Sequence, residues 1–271
     1  MHIAAQTTPN PSAIEEETRL KEAEVEITLI VPVRNEDLNI VPLIQEIKKK
    51  IDHLHQIIII FDHEDDTTLR QRDALLAIDP TLAFVRNTKS GVISAFRTGF
   101  DVARSQYIVP MMADLSDTPS TIPEMYRKIS EGYDLVVGSR YCEGGCKIGG
   151  PYIKYLLSLF ANRSLHWLTG IPTHDLTNAF VMYRKELLDN IYIRSSGGFE
   201  ITMELIAKAY ILGYRITEVP TINRERIAGR SNFQLLNWIG NYLYWYFYIL
   251  FYSIVRSLNA HYVSDAKPPS S

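Results

Sequence analysis

The heptapeptide Met111-Met112-Ala113-Asp114-Leu115-Ser116-Asp117 follows the apolar run Tyr107-Ile108-Val109-Pro110. Such a run reads as a buried strand that delivers acids to its carboxyl end, where open α/β sheets bind nucleotides. Carboxylates placed there can hold a divalent cation, and the cation can hold a diphosphate. Four other apolar runs also end in polar groups. Ile27–Val31 leads into Pro32-Val33-Arg34-Asn35-Glu36, and Ile57–Phe61 into Asp62-His63-Glu64-Asp65-Asp66. Leu82–Val85 leads into Arg86-Asn87, and Leu135–Val137 into Gly138-Ser139-Arg140-Tyr141. Glu36 and Asp62 can accept hydrogen bonds from ribose hydroxyls or a base edge. Asp114 can hold a cation, and Arg140 can grip phosphate oxygens with two N–H groups.

These tips need strands behind them and helices between them. Helical spacing runs over Asn39–Ile51, through Ile40, Leu43, Ile44 and Ile47, and again over Thr68–Ile78, Val92–Ala103 and Ser120–Ser130. Strands that are apolar throughout are covered on both faces. The alternation therefore predicts an α/β fold, a mostly parallel sheet flanked by helices, with all five tips on one edge. After Arg140 the pattern changes. Cys142–Gly150 is a glycine-rich loop, and Pro151 can open a helix to about Leu168. A short strand over Phe180–Tyr183, a helix over Phe199–Leu212 and a strand over Tyr214–Val219 follow. Gly149 and Gly150 allow close backbone approach, the helix beginning near Pro151 offers N–H groups, and Lys154 adds a charge. That combination suits an acceptor phosphate.

Composition narrows the class. The 271 residues are 46% hydrophobic with a net charge of -3, so there is a sizeable core and no global nucleic-acid footprint. Cys142 and Cys146 are the two cysteines, too few for a disulfide framework and without a Cys/His pair to complete a zinc set. Neither a GxGxxG fingerprint nor a Walker lysine is present, which removes support for dinucleotide oxidoreductases and P-loop ATPases. Residues 1–24 read as a flexible extension, 25–230 as the main domain, 231–258 as an aromatic and apolar helix, and 259–271 as a flexible tail. The strongly apolar part of that helix, Tyr242–Val255, is 14 residues long. Spanning takes about 20, so the helix is expected to lie on a membrane interface or to pack on protein, a second copy included.

Several segments in order resemble the family 2 glycosyltransferases of GT-A fold, and within them the polyprenyl-phosphate (dolichol-phosphate mannose synthase-like) branch. Pro32 to Ile40 matches the family's "P-x-x-N-E-x-x-N-I", which lines the nucleoside pocket through Pro32, Asn35 and Glu36. Phe61–Thr68 is similar to its "D-D-G-S-x-D-x-T" turn, with Asp62 and Asp66 kept and Phe61 in place of the first acid. Gly91, Ala95, Gly99 and Ala103 fit its small-residue helix, and Gly138-Ser139-Arg140-Tyr141 matches "G-S-R-Y" unchanged. Asp175–Phe180 resembles "D-x-T-x-x-F", and Arg226–Ser231 resembles "R-x-x-G-x-S". The likeness covers residues 27–235. The metal motif departs from it: where the family has Asp-x-Asp-x-Gln, this chain has Met112, Asp114 and Ser116.

The resemblance implies an inverting transfer of sugar from a nucleoside diphosphate to a polyprenyl phosphate on the cytoplasmic face of a membrane. It implies Mg²⁺ or Mn²⁺ at Asp114 and Ser116, and leaving-group stabilisation by Arg140 and Arg226, with Ser231 beside them. Asp175 would position the acceptor or donor sugar. If the acceptor were a saccharide hydroxyl, Asp175 would be the candidate base. Met112 and Ser116 motivate a third reading, a relative that binds nucleotide sugar and turns it over weakly.

Overall fold

Runs of β-branched residues favour extended chain and, when apolar on both faces, a sheet covered on both sides. The computed structural model describes residues 25–53, 55–225 and 235–265. Its strands are β1 (Ile27–Val33), β2 (His55–Phe61), β3 (Ala83–Arg86), β4 (Tyr107–Pro110), β5 (Leu135–Ser139), β6 (Cys146–Ile148), β7 (Val181–Arg184), β8 (Ile216–Pro220) and β9 (Ile222–Arg224). Its helices are α1 (Ile40–Lys50), α2 (Arg72–Ile78), α3 (Val92–Val102), α4 (Ile122–Ser130), α5 (Tyr152–Thr169), α6 (Lys185–Asn190), α7 (Glu200–Ile211) and α8 (Leu235–Asp265).

Seven strands form one sheet in the order β3-β2-β1-β4-β7-β5-β8. β1 runs parallel to β2 and β4, β2 to β3, and β5 to β8. β7 is antiparallel to both of its neighbours, β4 and β5, which leaves those two pointing the same way. The five expected tips therefore share one edge. The chain winds outward from β1 to β3 and returns on the other side of β1 as β4, so a crevice opens between the β1 and β4 tips.

Both faces of the sheet are packed. Ile27, Leu29 and Val31 join Ile40, Leu43, Ile44 and Ile47 of α1 in one core. Ile30, Ile58 and Ile60 join Phe96 and Phe100 of α3 in the other. Helix α3 lies so close to β1 that a Cβ on Gly99 would stand 2.5 Å from Ile30 Cγ2. Helix α8 rests on α5 and α7. Trp245 and Ile249 are buried, Trp245 Nε1 donates to Ser195 Oγ at 3.1 Å, and Asn241 Nδ2 donates to Glu200 Oε1 at 3.2 Å.

Four details differ from the sequence expectation. The loop Cys142–Gly150 contains β6, which pairs with β9 in a separate two-stranded ribbon. Three residues carry no readable period, and the partner strand is remote in sequence. The helix expected over Thr68–Ile78 begins as a 3₁₀ turn, Thr67–Gln71, capped by the Asp66 side chain, before α2. Helix α6 spans six residues, again too few to announce themselves. Helix α8 continues to Asp265, past the end expected at 258, because no Gly or Pro stops it there. Residues 1–24 and 266–271 lie outside the described residues.

Candidate active site

The tips of β1 and β2 are laced together by backbone N–H groups. Asn35 has φ of 59°, a left-handed conformation that asparagine tolerates. That turn sends Asn35 N to Asp66 Oδ1 at 3.0 Å and Glu36 N to Thr68 Oγ1 at 2.9 Å. Thr67 N returns a bond to Asn35 Oδ1 at 3.2 Å. Glu36 Oε2 accepts from Asn39 Nδ2 at 2.7 Å. Asp62 ties β2 to the β3 tip, accepting from Asn87 Nδ2 at 2.7 Å and Gly91 N at 3.0 Å. Glu36 and Asp62 are half-buried on the rim, where carboxylate oxygens can accept from a nucleoside. Pro32 lies inside β1, opposite Ile60 and buried beneath that rim.

Beyond β4 the chain turns sharply through Leu115, whose φ is 61°. Asp114 Oδ1 accepts from Ser116 N at 3.1 Å. Asp117, three residues on, is 5% exposed and accepts from Met112 N at 3.3 Å and Asn223 Nδ2 at 3.2 Å. Burial, reinforced by the nearby Asp114 charge, pushes the Asp117 carboxyl up to about 6; the Met112 N–H, Asn223 and Arg140 pull the other way. Asp114 and Arg140 thus act on the same buried carboxylate from within one neighbourhood. The described residues contain no group of three or more His, Cys, Asp or Glu side chains able to hold a metal. The donor set at Asp114 fits a hard cation that brings most of its oxygens with it, as phosphate and water.

Arg140 and Asp175 form a nearly buried pair, with side chains 10% and 0% exposed. Nε donates to Oδ2 at 2.7 Å and Nη2 to Oδ1 at 2.8 Å. The Arg140 backbone N–H also reaches Oδ2, at 3.0 Å. Burial opposes the guanidinium charge, yet the Asp175 carboxylate holds its pKa above the ordinary arginine value. The two-pronged edge that suits phosphate is therefore engaged with Asp175. Nη1 keeps two N–H groups with no hydrogen-bond partner among the described residues, and these are what a phosphate can meet. Both Asp175 oxygens are saturated, since Oδ1 also accepts from Thr177 N at 3.2 Å.

Gly149 and Gly150 have φ of 82° and 83°, which favours glycine at both positions. The Gly150 N–H is already held by Glu225 Oε2 at 3.0 Å, so a carboxylate occupies the expected anion position. The Lys154 side chain and the whole of Arg226 and Ser231 lie outside the described residues. Three contributors were not foreseen: Asp117, Asn223 and the α5 residue Asn162. Asp117 was visible as a second acid near Asp114, whereas the other two reach the site through long-range packing. After the glycine loop, α5 exposes Tyr152, Ile153, Leu157, Phe160 and Trp167 along its length, and α8, packed on α5, exposes Leu243, Tyr244, Phe247 and Phe251. Among the described residues no helix is long and apolar enough to cross a membrane.

Known proteins share this fold. Glucosyl-3-phosphoglycerate synthase of Mycobacterium tuberculosis, solved with Mn²⁺, UDP-glucose and phosphoglyceric acid, superposes with a TM-score of 0.63 at 16% identity, covering 92% of this chain and 86% of that one. Its complex with Mg²⁺ and UDP gives a TM-score of 0.58 at 19% identity, covering 89% and 81%. At such identities the likeness establishes the GT-A fold. The polyprenol monophosphomannose synthase of Mycolicibacterium smegmatis is 31% identical over 210 residues, 75% of this chain and 79% of that protein. The dolichol-phosphate mannosyltransferase of Pyrococcus furiosus is 27% identical over 232 residues, 82% of this chain; the match spans 64% of that relative's length. The family model described as Glycosyl transferase family 2 matches residues 28–192, and the chain belongs to that family.

Proposed function

We propose that the protein moves a sugar from a nucleoside diphosphate to a polyprenyl phosphate at a membrane surface, with inversion at the anomeric carbon. The observation that carries this reading is the state of Asp175. It is 0% exposed and hydrogen-bonded by Arg140 and Thr177 at both oxygens, which argues against its serving as a base for a hydroxyl acceptor. A phosphate monoester has a second pKa of about 6 and is a nucleophile at neutral pH without a base. Its oxygen bonds to the anomeric carbon as the bond to the diphosphate breaks, and the nucleoside diphosphate leaves with the electron pair. Glu36 and Asp62 hold the nucleoside, and Nη1 of Arg140 faces the departing charge. A Mg²⁺ or Mn²⁺ at Asp114 and Ser116 would neutralise part of the leaving diphosphate. Lys154 and the Gly149–Gly150 turn are assigned to the acceptor phosphate, which would displace Glu225 from the Gly150 N–H, and Arg226 and Ser231 are assigned to donor binding. The names of the two curated relatives support a lipid-phosphate acceptor and a mannosyl donor.

The acceptor's chain needs an apolar path, and the exposed apolar residues of α5, the helix that follows the glycine loop, and of α8, which packs on α5, are proposed to supply one. Helix α5 carries Lys154 and Arg163 and no acid; α8 carries Arg256 and no acid before Asp265. Apolar, aromatic helices that carry cations and almost no acids suit the headgroup region of an anionic bilayer. The cytoplasmic leaflet is the proposed location.

The test offers labelled nucleoside diphosphate sugars and polyprenyl phosphate with Mg²⁺ and follows label into the organic phase. Label in the lipid fraction is the expected result. Transfer to soluble saccharides alone would overturn this reading in favour of a hydroxyl acceptor with Asp175 as its base. That outcome would be checked by its loss in Asp175→Asn with donor binding retained.

A further inference from the structure

Asn162 sits on the inner face of α5 and is 1% exposed. Oδ1 accepts from Leu176 N at 2.6 Å. Nδ2 donates to Ser158 O at 2.8 Å and to Thr177 Oγ1 at 3.0 Å. Flipping the amide would set its NH₂ against the Leu176 N–H, donor facing donor, so one orientation is fixed. Thr177 Oγ1 also accepts from Arg140 Nη2 at 2.8 Å. Two donors then fill its two lone pairs, and its own proton points to Asp175 Oδ1 at 3.2 Å or Ser158 Oγ at 3.1 Å.

This geometry does more than satisfy a buried backbone. A two-bond fork between a guanidinium and a carboxylate still permits a hinge about the line joining them. A third bond from the guanidinium, Nη2 to Thr177 Oγ1, with that oxygen held in turn by Asn162 on α5, removes that freedom. We propose that Asn162 is a positioning residue: through Thr177 it fixes the plane of the Arg140 guanidinium, and with it the direction of Nη1. The proposal rests on the transfer reading above. It makes α5, whose outer face is exposed and apolar, the element that aims the cation.

The experiment compares Asn162→Ala, Thr177→Val, Thr177→Ser and the double variant Asn162→Ala/Thr177→Val. Turnover is followed both as sugar transfer and as hydrolysis of donor, with nucleoside diphosphate affinity measured by calorimetry. Asn162→Ala and Thr177→Val should each lower kcat about tenfold or more, since small misplacements are costly at a reacting centre. Donor affinity should stay within about twofold, the signature of a contact that matters after binding. The double variant should be no worse than the poorer single, and Thr177→Ser should restore turnover. Rotation about the Arg140 Cζ–Nη2 bond, followed by NMR on signals assigned through their loss in Arg140→Lys, should be slow in the wild type and faster in both Asn162→Ala and Thr177→Val. Unchanged rotation, unchanged kcat in both single variants, or losses that multiply in the double variant would each overturn the proposal. If the wild type does not label polyprenyl phosphate, the acceptor reading fails while the NMR comparison still decides the role of Asn162.

Discussion

On the β1–β2 side of the rim, Glu36 and Asp62 stand half-buried, fastened by asparagine amides and one glycine N–H. On the β5 side, Arg140 and Asp175 are almost fully enclosed and bind each other at two points. The first arrangement sets carboxylates at a solvent-reached rim, where a ligand that supplies its own donors can meet them. The second builds a charge into the protein in advance, stabilises it by pairing, and presents one edge. A donor that arrives with hydroxyls needs acceptors that can adjust. A leaving diphosphate needs a cation that does not have to reorganise.

Removing the buried cation is the harshest way to break this contrast. Arg140→Ala leaves Asp175 enclosed without a partner, which should cost about 3–5 kcal/mol in denaturant unfolding and abolish measurable turnover. Asp175→Asn should be milder in unfolding, and the two changes together should not add. On the rim, Asp114→Asn should lower turnover by about a hundredfold with little change in melting temperature, because a half-buried carboxylate stabilises the reaction more than the fold. Phe160→Glu combined with Phe247→Glu should reduce sedimentation with anionic vesicles about tenfold while leaving nucleoside diphosphate affinity unchanged. Glu225→Gln should weaken the plug on the Gly150 N–H and lower the acceptor KM about two- to threefold, read in the same transfer assay.

The smallest effect lies at the opposite end of β2 and serves as a control. Burial, with help from Lys48, holds the His55 imidazole below its usual pKa. The unfolded chain therefore takes up this proton more readily than the folded one. Stability is complete above pH of about 6.5 and declines as the pH falls below it. His55→Gln should flatten that slope in thermal melts and leave turnover untouched, since His55 opens β2 at the end remote from the tips.

What could be read from the chain follows the same division. The five strands, their common edge and the rim acids were legible because each tip lies a few residues from its own strand. The antiparallel entry of β7 between β4 and β5 was not, since no local pattern says where a late strand inserts. The Arg140–Asp175 pair joins residues 35 positions apart, and both were singled out separately, with no signal in the sequence that they bind each other. Asn162 carries no signal of its own in the sequence of α5. Its meaning came from the loop that folds back over it.

The 2.5 Å approach at Gly99 separates ancestry from activity in the small-residue spacing of α3. That spacing records how tightly a helix is laid on the central strand, and an added methyl there should be expelled at a cost of about 1–3 kcal/mol. Chemistry has no stake in it. A descendant could discard every carboxylate on the rim and keep this groove intact, so its presence certifies architecture and the fate of Asp114 and Arg140 must be judged on other grounds.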